Sequence, residues 1–83
     1  MTNSEFRVLR IRAGITQARV AIRGNADRTR LCMWERGDLT LPPDEVRSLD
    51  KALDELIGEQ AEQMASLRRE SRQAFQAGLA SAV

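Results

Sequence analysis

Residues 16–37 read TQARVAIRGNADRTRLCMWERG, and this segment decides the fold. Thr16 and Asp27 are residue types that cap helix N-termini, and each precedes a short run without proline or glycine. Gly24-Asn25 stands between the two runs and tolerates the positive φ of a tight turn. The pattern predicts two short helices joined by a turn, the helix-turn-helix arrangement. These helices are expected over Gln17–Arg23 and Arg28–Arg36.

The rest of the chain also predicts helices. Apolar residues recur at spacings of three and four and never in a sustained alternation of two, so we expect an all-α fold of five helices. The first helix is expected to begin after Asn3 or Ser4, either of which can cap it, and to stop at Gly14. The fourth and fifth are expected over Asp44–Ile57 and Glu59–Ala77, separated by Gly58. The organisation is then a domain over 1–58 and a C-terminal helix over 59–83, frayed from Gly78 to Val83.

The third predicted helix has two different faces. At 100° per residue, Leu31 and Trp34 point together into a core. Thr29, Cys32, Met33 and Arg36 lie on the opposite side, and Arg28 lies at the flank near the N-terminus. This outer face is short, partly basic and near the positive end of the helix dipole, so it can enter a major groove and hydrogen-bond to base edges.

Charge is distributed unevenly along the chain. Residues 1–40 contain eight Arg and four acids, for a net charge of +4, whereas residues 41–83 contain five cations and eight acids, for −3. Twelve of the thirteen cations are Arg, whose guanidinium can hold a phosphate or a guanine edge with two hydrogen bonds. The basic half therefore favours a polyanionic partner, although a solvated helical surface would have the same composition.

Composition also argues against several classes of protein. The 83 residues contain no His and a single Cys, Cys32, so no Ser–His or Cys–His pair and no zinc site are available. We therefore expect no enzyme activity, no metal, no cofactor and no small-molecule ligand. No apolar run reaches the roughly 20 residues of a membrane span, and the polar N-terminus lacks a secretory signal. A cytoplasmic location is expected.

The motifs resemble those of a known family. Arg10-Ile11-Arg12-Ala13-Gly14-Ile15-Thr16-Gln17, then Val20-Ala21, Trp34-Glu35-Arg36-Gly37, Leu41-Pro42 and Ala52-Leu53 together resemble the Cro/CI-type (XRE) helix-turn-helix domain, which has the λ-repressor-like fold. The similarity runs over about residues 6–57. Within the family, the segment from Gly24 to Leu31, together with Glu35-Arg36, is most similar to the small controller proteins of restriction–modification systems and to related phage and mobile-element regulators.

This resemblance implies roles for individual residues. Positions that read bases in the major groove correspond to Arg28, Thr29, Arg30, Cys32 and Met33. Positions that contact phosphates correspond to Thr16, Gln17, Asn25 and Arg36. Arg10 and Glu35 correspond to an ion pair between the first and third helices. Controller proteins usually have an aromatic residue where Arg30 stands and a small hydroxyl residue where Cys32 stands.

The predicted fifth helix has a narrow stripe that includes Met64, Leu67, Ser71 and Phe75. The stripe could pack on its own domain, but the first four helices already complete a small core, so we favour a homodimer interface. A two-fold dimer would present two recognition helices about 34–36 Å apart, one turn of B-DNA, to an inverted repeat.

The sequence therefore predicts a homodimeric, sequence-specific regulator of transcription that binds double-stranded DNA. The resemblance implies control of its own promoter and of a neighbouring operon, by repression or activation. Two alternatives stay open. In one, the protein is an antitoxin whose segment 59–83 wraps a toxin. In the other, it is a protein-interaction module such as an antiactivator, which has kept the fold and lost the DNA.

Overall fold

The computed structural model describes residues 1–81 of the chain, which form four α-helices. Their bounds are Asn3–Arg12 (α1), Gln17–Arg23 (α2), Arg28–Glu35 (α3) and Pro43–Ser81 (α4). None of the described residues forms a β-strand, so the predicted all-α class is confirmed. The predicted number of five helices is wrong, because the fourth and fifth are one helix.

The caps of the two central helices are those that the sequence predicts. The Thr16 side chain accepts a hydrogen bond from the backbone N–H of Arg19 at 3.2 Å. The Asp27 carboxylate accepts from the N–H groups of Thr29 and Arg30 at 2.7 and 3.4 Å. These bonds satisfy backbone donors that the first turn of a helix cannot pair internally. The third helix ends one residue earlier than expected, with Arg36 as its C-cap.

The predicted cap of α1 is wrong. The N-cap is Thr2, whose side chain accepts from the N–H of Glu5 at 3.2 Å, rather than Asn3 or Ser4. Asn3 instead donates from its side-chain amide to the carbonyl of Trp34, at 3.2 Å. A contact between residues 31 positions apart leaves no local trace in the sequence, and it removes Asn3 from the set of possible caps.

Gly24 and Asn25 have different roles in the turn between α2 and α3. Asn25 has the positive φ, at 52°, whereas Gly24 has a φ of −87°. A Cβ atom on Gly24 would lie 3.3 Å from the carbonyl oxygen of Val20 and 3.4 Å from Cβ of Ala52. Gly24 is therefore needed for close packing of the turn against α4, and Asn25 supplies the left-handed conformation.

One apolar core joins all four helices. Leu31 and Trp34 face inward, as predicted. Phe6 packs edge-on against Trp34, with ring centroids 5.2 Å apart. Partly buried Leu9 and Ala13 cover the margin. The buried apolar residues are Phe6, Ile15, Val20, Ala21, Leu31, Trp34, Leu41, Leu49, Ala52, Leu53 and Leu56.

The fourth helix begins at Pro43 and continues without interruption through Gly58. Contacts on the far side of the glycine hold it against the rest of the chain: Arg23 donates to Glu59 at 2.7 and 2.8 Å, and the Gln60 amide donates to the carbonyl of Ala13 at 2.7 Å. These contacts offset the roughly 1 kcal/mol by which a helical glycine is less favourable than alanine. Gly58 is therefore not the stop that the sequence suggested.

The apolar face of α4 keeps its orientation beyond Gly58. Positions 49, 53 and 56, all Leu, correspond to positions eleven residues later, which are Gln60, Met64 and Leu67. After eleven more residues they correspond to Ser71, Phe75 and Gly78. An eleven-residue repeat corresponds to about 3.67 residues per turn, so the three sets lie on one side of the helix. The first set is buried in the core, whereas residues 61–78 are all exposed.

The long helix makes the molecule elongated, with principal extents of 63 × 19 × 18 Å. The compact part reaches Gln60, slightly past the predicted boundary at residue 58. The predicted frayed end, 78–83, lies partly outside the described residues; within them, the helix continues to Ser81. No helix in the described part of the chain combines the length and the apolar character required to cross a membrane.

The continuity of α4 predicts that Gly58→Ala stabilises the protein. Gly58 is helical, and no atom lies within 4 Å of a Cβ built on it. Replacing a helical glycine with alanine should raise the free energy of unfolding by about 0.5–1 kcal/mol, measured by urea denaturation.

Gly14→Ala is the matched control. Gly14 has a φ of 70°, so alanine there should lower the free energy of unfolding by about 1–2 kcal/mol. Destabilisation by Gly58→Ala of the same size as that by Gly14→Ala would show that α4 is interrupted at residue 58.

Candidate nucleic-acid interface

The orientation of α3 is fixed from its inner side. Leu31, Trp34 and Glu35 are 1%, 7% and 4% exposed, so three residues of an eight-residue helix are buried. Leu31 and Trp34 are part of the apolar core, and Glu35 is the one buried charged residue in the described part of the chain. A helix held by residues at these positions cannot rotate about its axis without exposing the core or the buried carboxylate.

The buried Glu35 carboxylate forms an ion pair with Arg10 of α1. Arg10 donates from Nε to Glu35 Oε2 at 2.8 Å and from Nη2 to Oε1 at 2.7 Å, so the pair is bidentate. The remaining terminal nitrogen, Nη1, donates to the carbonyl of Ile15 at 3.0 Å. The two side chains are 11% and 1% exposed. The pair that the resemblance implies is therefore a buried, hydrogen-bonded link between α1, the α1–α2 loop and α3.

A second link to the C-terminal end of α3 comes from Asn3, whose amide donates to the carbonyl of Trp34. The same carbonyl also accepts from the backbone N–H of Gly37 at 3.0 Å, so the Asn3 amide is its second donor and joins α1 to the end of α3. Sequence reasoning missed this role, because Asn3 stood in a position where helix capping was the simpler explanation.

The outer face of α3 is open to solvent. Arg28, Thr29, Met33 and Arg36 are exposed, and Cys32 is half-buried. Met33 is 38% exposed, which leaves its thioether available for apolar contact. Arg36 Nη2 lies 3.1 Å from Asp38 Oδ2, and the two side chains are 63% and 50% exposed. The outer face that helical periodicity predicts is therefore not covered by other described residues.

Arg30 is placed apart from the other candidate base-reading residues. Its Nη2 donates to both carboxylate oxygens of Glu45, at 2.9 and 3.2 Å. Glu45 belongs to the first turn of α4, so the Arg30 side chain points away from Thr29 and Met33 and toward α4. The structure brings Arg28, Thr29, Cys32 and Met33 onto one surface and leaves Arg30 at its edge.

The candidate phosphate-binding residues differ in how much they are already engaged. Thr16 caps α2 and keeps its hydroxyl hydrogen free to donate. The Gln17 amide donates to Glu35 Oε1 at 3.2 Å, so one of its two hydrogens is used within the protein. Asn25 is exposed at the turn, and Arg36 is exposed at the end of α3.

An exposed ion-pair cluster lies on another side of the molecule, between α2 and α4. Arg23 contacts Glu55 at 3.2 Å and Glu59 at 2.7 Å. Hydrogen bonding to the carboxylates, Glu59 above all, raises the pKa of Arg23, and the bond from Arg23 lowers the pKa of Glu59. Arg23 is thereby committed to α4 and does not contribute to the outer face of α3.

The four candidate dimer residues lie on one side of the C-terminal extension of α4, which we define as residues 61–78. Met64, Leu67 and Phe75 are 56%, 58% and 68% exposed, and Ser71 is exposed between them. Apolar side chains of this size that share one helix face form a continuous exposed stripe, a common feature of protein interaction sites.

Comparison with models of known protein families, with curated proteins and with solved structures finds no match to this chain.

The buried pair predicts a large cost for Glu35→Gln. The change removes the carboxylate charge and leaves the Arg10 guanidinium largely buried without a counter-charge, so the free energy of unfolding should fall by about 3–5 kcal/mol. Urea denaturation followed by Trp34 fluorescence measures the change.

Arg47→Gln is the control, since Arg47 and Asp44 form an exposed pair whose side chains are 72% and 88% accessible. Its cost should stay below about 1 kcal/mol. Equal unfolding curves for the two variants would contradict the assignment of Arg10–Glu35 as the link that fixes α3.

Proposed function

We propose that this protein is a sequence-specific DNA-binding regulator of transcription that acts as a homodimer on an inverted repeat. The observation that carries the proposal is the contrast between the two sides of α3. The inner side is fixed by Leu31, Trp34 and the buried Glu35, whereas the outer side presents Arg28, Thr29, Met33 and Arg36 to solvent. A rigidly held helix with an uncovered polar face is what reading of the major groove requires.

In this proposal, Arg28 and Thr29 choose the sequence. Arg28 stands in the first turn of α3, and its guanidinium can donate two hydrogen bonds to O6 and N7 of a guanine. Thr29 can donate or accept at a neighbouring base edge. Met33 offers apolar contact to a thymine methyl, because a thioether forms no strong directional hydrogen bond. Half-buried Cys32 contributes shape to the same surface.

Phosphate contacts set the register of the protein on the duplex. Thr16 and Gln17 stand at the start of α2, Asn25 lies in the turn before α3, and Arg36 is the C-cap of α3. Thr16 and Gln17 each keep a side-chain hydrogen that can be donated to a phosphate, and Asn25 and Arg36 are exposed. Such contacts carry no sequence information, but they supply much of the affinity and its salt dependence.

The homodimer in this proposal forms through the C-terminal extension. The face of α4 that carries Met64, Leu67 and Phe75 is covered by the compact part of the same chain only as far as Gln60, so a second copy has access to it from residue 61 onward. One recognition helix reads only a few base pairs, and two copies double the length of the site. A small domain of this size also gains stability from pairing.

In keeping with the family resemblance, we propose that the operator lies at the protein's own promoter and controls a neighbouring operon. The described chain consists of the DNA-reading part and the α4 extension. Regulation then follows from protein concentration, because dimerisation and DNA binding are coupled by mass action.

The assignment of Arg28 and Arg36 predicts two different binding defects. Arg28→Ala should weaken binding to the preferred duplex by about 1–3 kcal/mol and relax selectivity at one base position in each half-site. Arg36→Ala should weaken binding to all sequences similarly and reduce the slope of log K against log salt by about 0.9 per lost phosphate contact. The duplex is selected from a randomised library with the wild-type protein, and affinities are measured by fluorescence anisotropy at several salt concentrations.

Failure of the wild-type protein to enrich any sequence would overturn the proposal. Arg47→Ala, on the exposed surface of α4, is the control for loss of a positive charge and should leave selectivity unchanged. If Arg28→Ala discriminates among duplexes as the wild type does, Arg28 does not read a base.

The dimer assignment predicts that a charge on the apolar stripe separates the subunits. Leu67→Glu should turn the dimer into a monomer, because a carboxylate would be desolvated at the interface. Ala65→Glu is the matched control: Ala65 is exposed, and it lies about 160° around the helix from Leu67. Sedimentation equilibrium gives the masses, and both variants should keep the helical content of the wild type.

A wild-type protein that stays monomeric at concentrations that saturate DNA would exclude the homodimer. That outcome would favour the alternative in which the exposed stripe of the extension binds a different protein, as in an antitoxin.

A further inference from the structure

The ion pair between Arg30 and Glu45 joins the recognition helix to the first turn of α4. Arg30 is the third residue of α3, close to Arg28 and Thr29, and its Nη2 lies 2.9 Å from Glu45 Oε2. Each side chain is 46% exposed, so the pair is formed in contact with solvent. A cation in the first turn of the reading helix is thereby directed toward another part of the protein.

The neighbouring acids have other partners. Asp27 accepts hydrogen bonds from the backbone of α3, and Asp44 pairs with Arg47. Asp27, Asp44 and Glu45 line the same cleft, which lies between the α2–α3 turn and the start of α4. Glu45 is thus the carboxylate of this cleft that holds Arg30.

We propose that Glu45 is a positioning residue that withholds Arg30 from DNA and so lowers the affinity of the recognition helix. This inference rests on the proposed function. Because Arg30 stands at the edge of the outer face of α3, its side chain can either pair with Glu45 or turn toward a duplex that lies against Thr29 and Met33. The carboxylate and a DNA phosphate or base edge compete for the same guanidinium.

The strength of the pair sets the size of the effect. An exposed ion pair favours its paired state by a factor of at most about five. Arg30 is therefore available for only a fraction of the time, and the affinity of its contact is reduced by that fraction. Removal of the carboxylate should strengthen DNA binding by about two- to fivefold for each subunit of the dimer.

The exposure of the pair also makes the competition reversible. Neither side chain is enclosed by the core, so Arg30 can exchange partners without unfolding of α3 or α4. The Arg10–Glu35 pair differs in this respect, since its members are buried and fixed. The two pairs thus act differently on one helix: one orients it, and the other controls which of its cations face outward.

The experiment compares Glu45→Gln with Asp44→Asn. Both changes neutralise one acid in the first turn of α4 and alter the net charge equally, but only Glu45 holds Arg30. Affinity for the library-selected duplex and for a scrambled duplex is measured by fluorescence anisotropy across a salt series. Glu45→Gln should bind the selected duplex more tightly than the wild type does, by about two- to fivefold for each subunit and thus about four- to 25-fold for the dimer. The salt slope should be steeper by up to about 0.9 for each Arg30 that gains a phosphate contact. Asp44→Asn should differ from the wild type by much less.

A double-mutant cycle assigns the gain to Arg30. Arg30→Gln should remove the gain when combined with Glu45→Gln, and it should have a smaller effect in the wild-type background, where Arg30 is held back. Thermal unfolding of each variant reports on stability separately from binding, so a structural effect of Glu45→Gln would be visible there.

Four outcomes overturn the inference. An equal gain in affinity for Glu45→Gln and Asp44→Asn would show that the loss of any negative charge in this turn strengthens binding. A gain that persists in the double variant would show that Arg30 is not the residue released. A wild-type protein that selects no duplex would overturn the proposed function and this inference with it, whereas selective binding by the wild type with no gain in Glu45→Gln overturns this inference alone.

Discussion

The buried carboxylate of Glu35 is the constraint on which the arrangement of the first three helices depends. A charge that is almost fully removed from water must be paired and hydrogen-bonded, and the partners come from α1, through Arg10, and from the start of α2, through Gln17. Because Arg10 also binds the carbonyl of Ile15, the same guanidinium holds the loop between these helices. The direction of α3 is therefore determined by an ionic network as well as by apolar packing.

The outer surface of α3 follows from that constraint. Once Leu31, Trp34 and Glu35 are directed inward, the period of the helix places Thr29 and Met33 on the far side. The candidate DNA-reading surface is therefore the complement of the buried one, and its precision derives from residues that would never touch DNA. A disturbance of the inner network would shift every outer side chain together.

The sequence predicts the parts of this structure that are governed by local chemistry. Thr16 and Asp27 act on backbone N–H groups two or three residues away, and Leu31 and Trp34 share a face because of helical geometry. The contacts that sequence reasoning missed join distant residues: Asn3 with Trp34, Arg30 with Glu45, and Gln60 with Ala13. No periodicity or spacing encodes such pairs. The same reason explains Gly58, since its helical conformation is supported by contacts of the residues that follow it.

The continuity of α4 fixes the position of the extension relative to α3. A break at Gly58 would have joined residues 61–78 to the compact part by a hinge, and whatever bound the stripe would have had little influence on α3. α4 is a single helix held on both sides of Gly58, by Leu56 in the core and by Gln60, which donates to the carbonyl of Ala13 at the C-cap of α1. The stripe is therefore fixed relative to the core. Any partner seated on Leu67 therefore takes a set position with respect to α3. If the partner is a second copy, the geometry of the paired α4 extensions sets the distance between the two candidate DNA-reading surfaces.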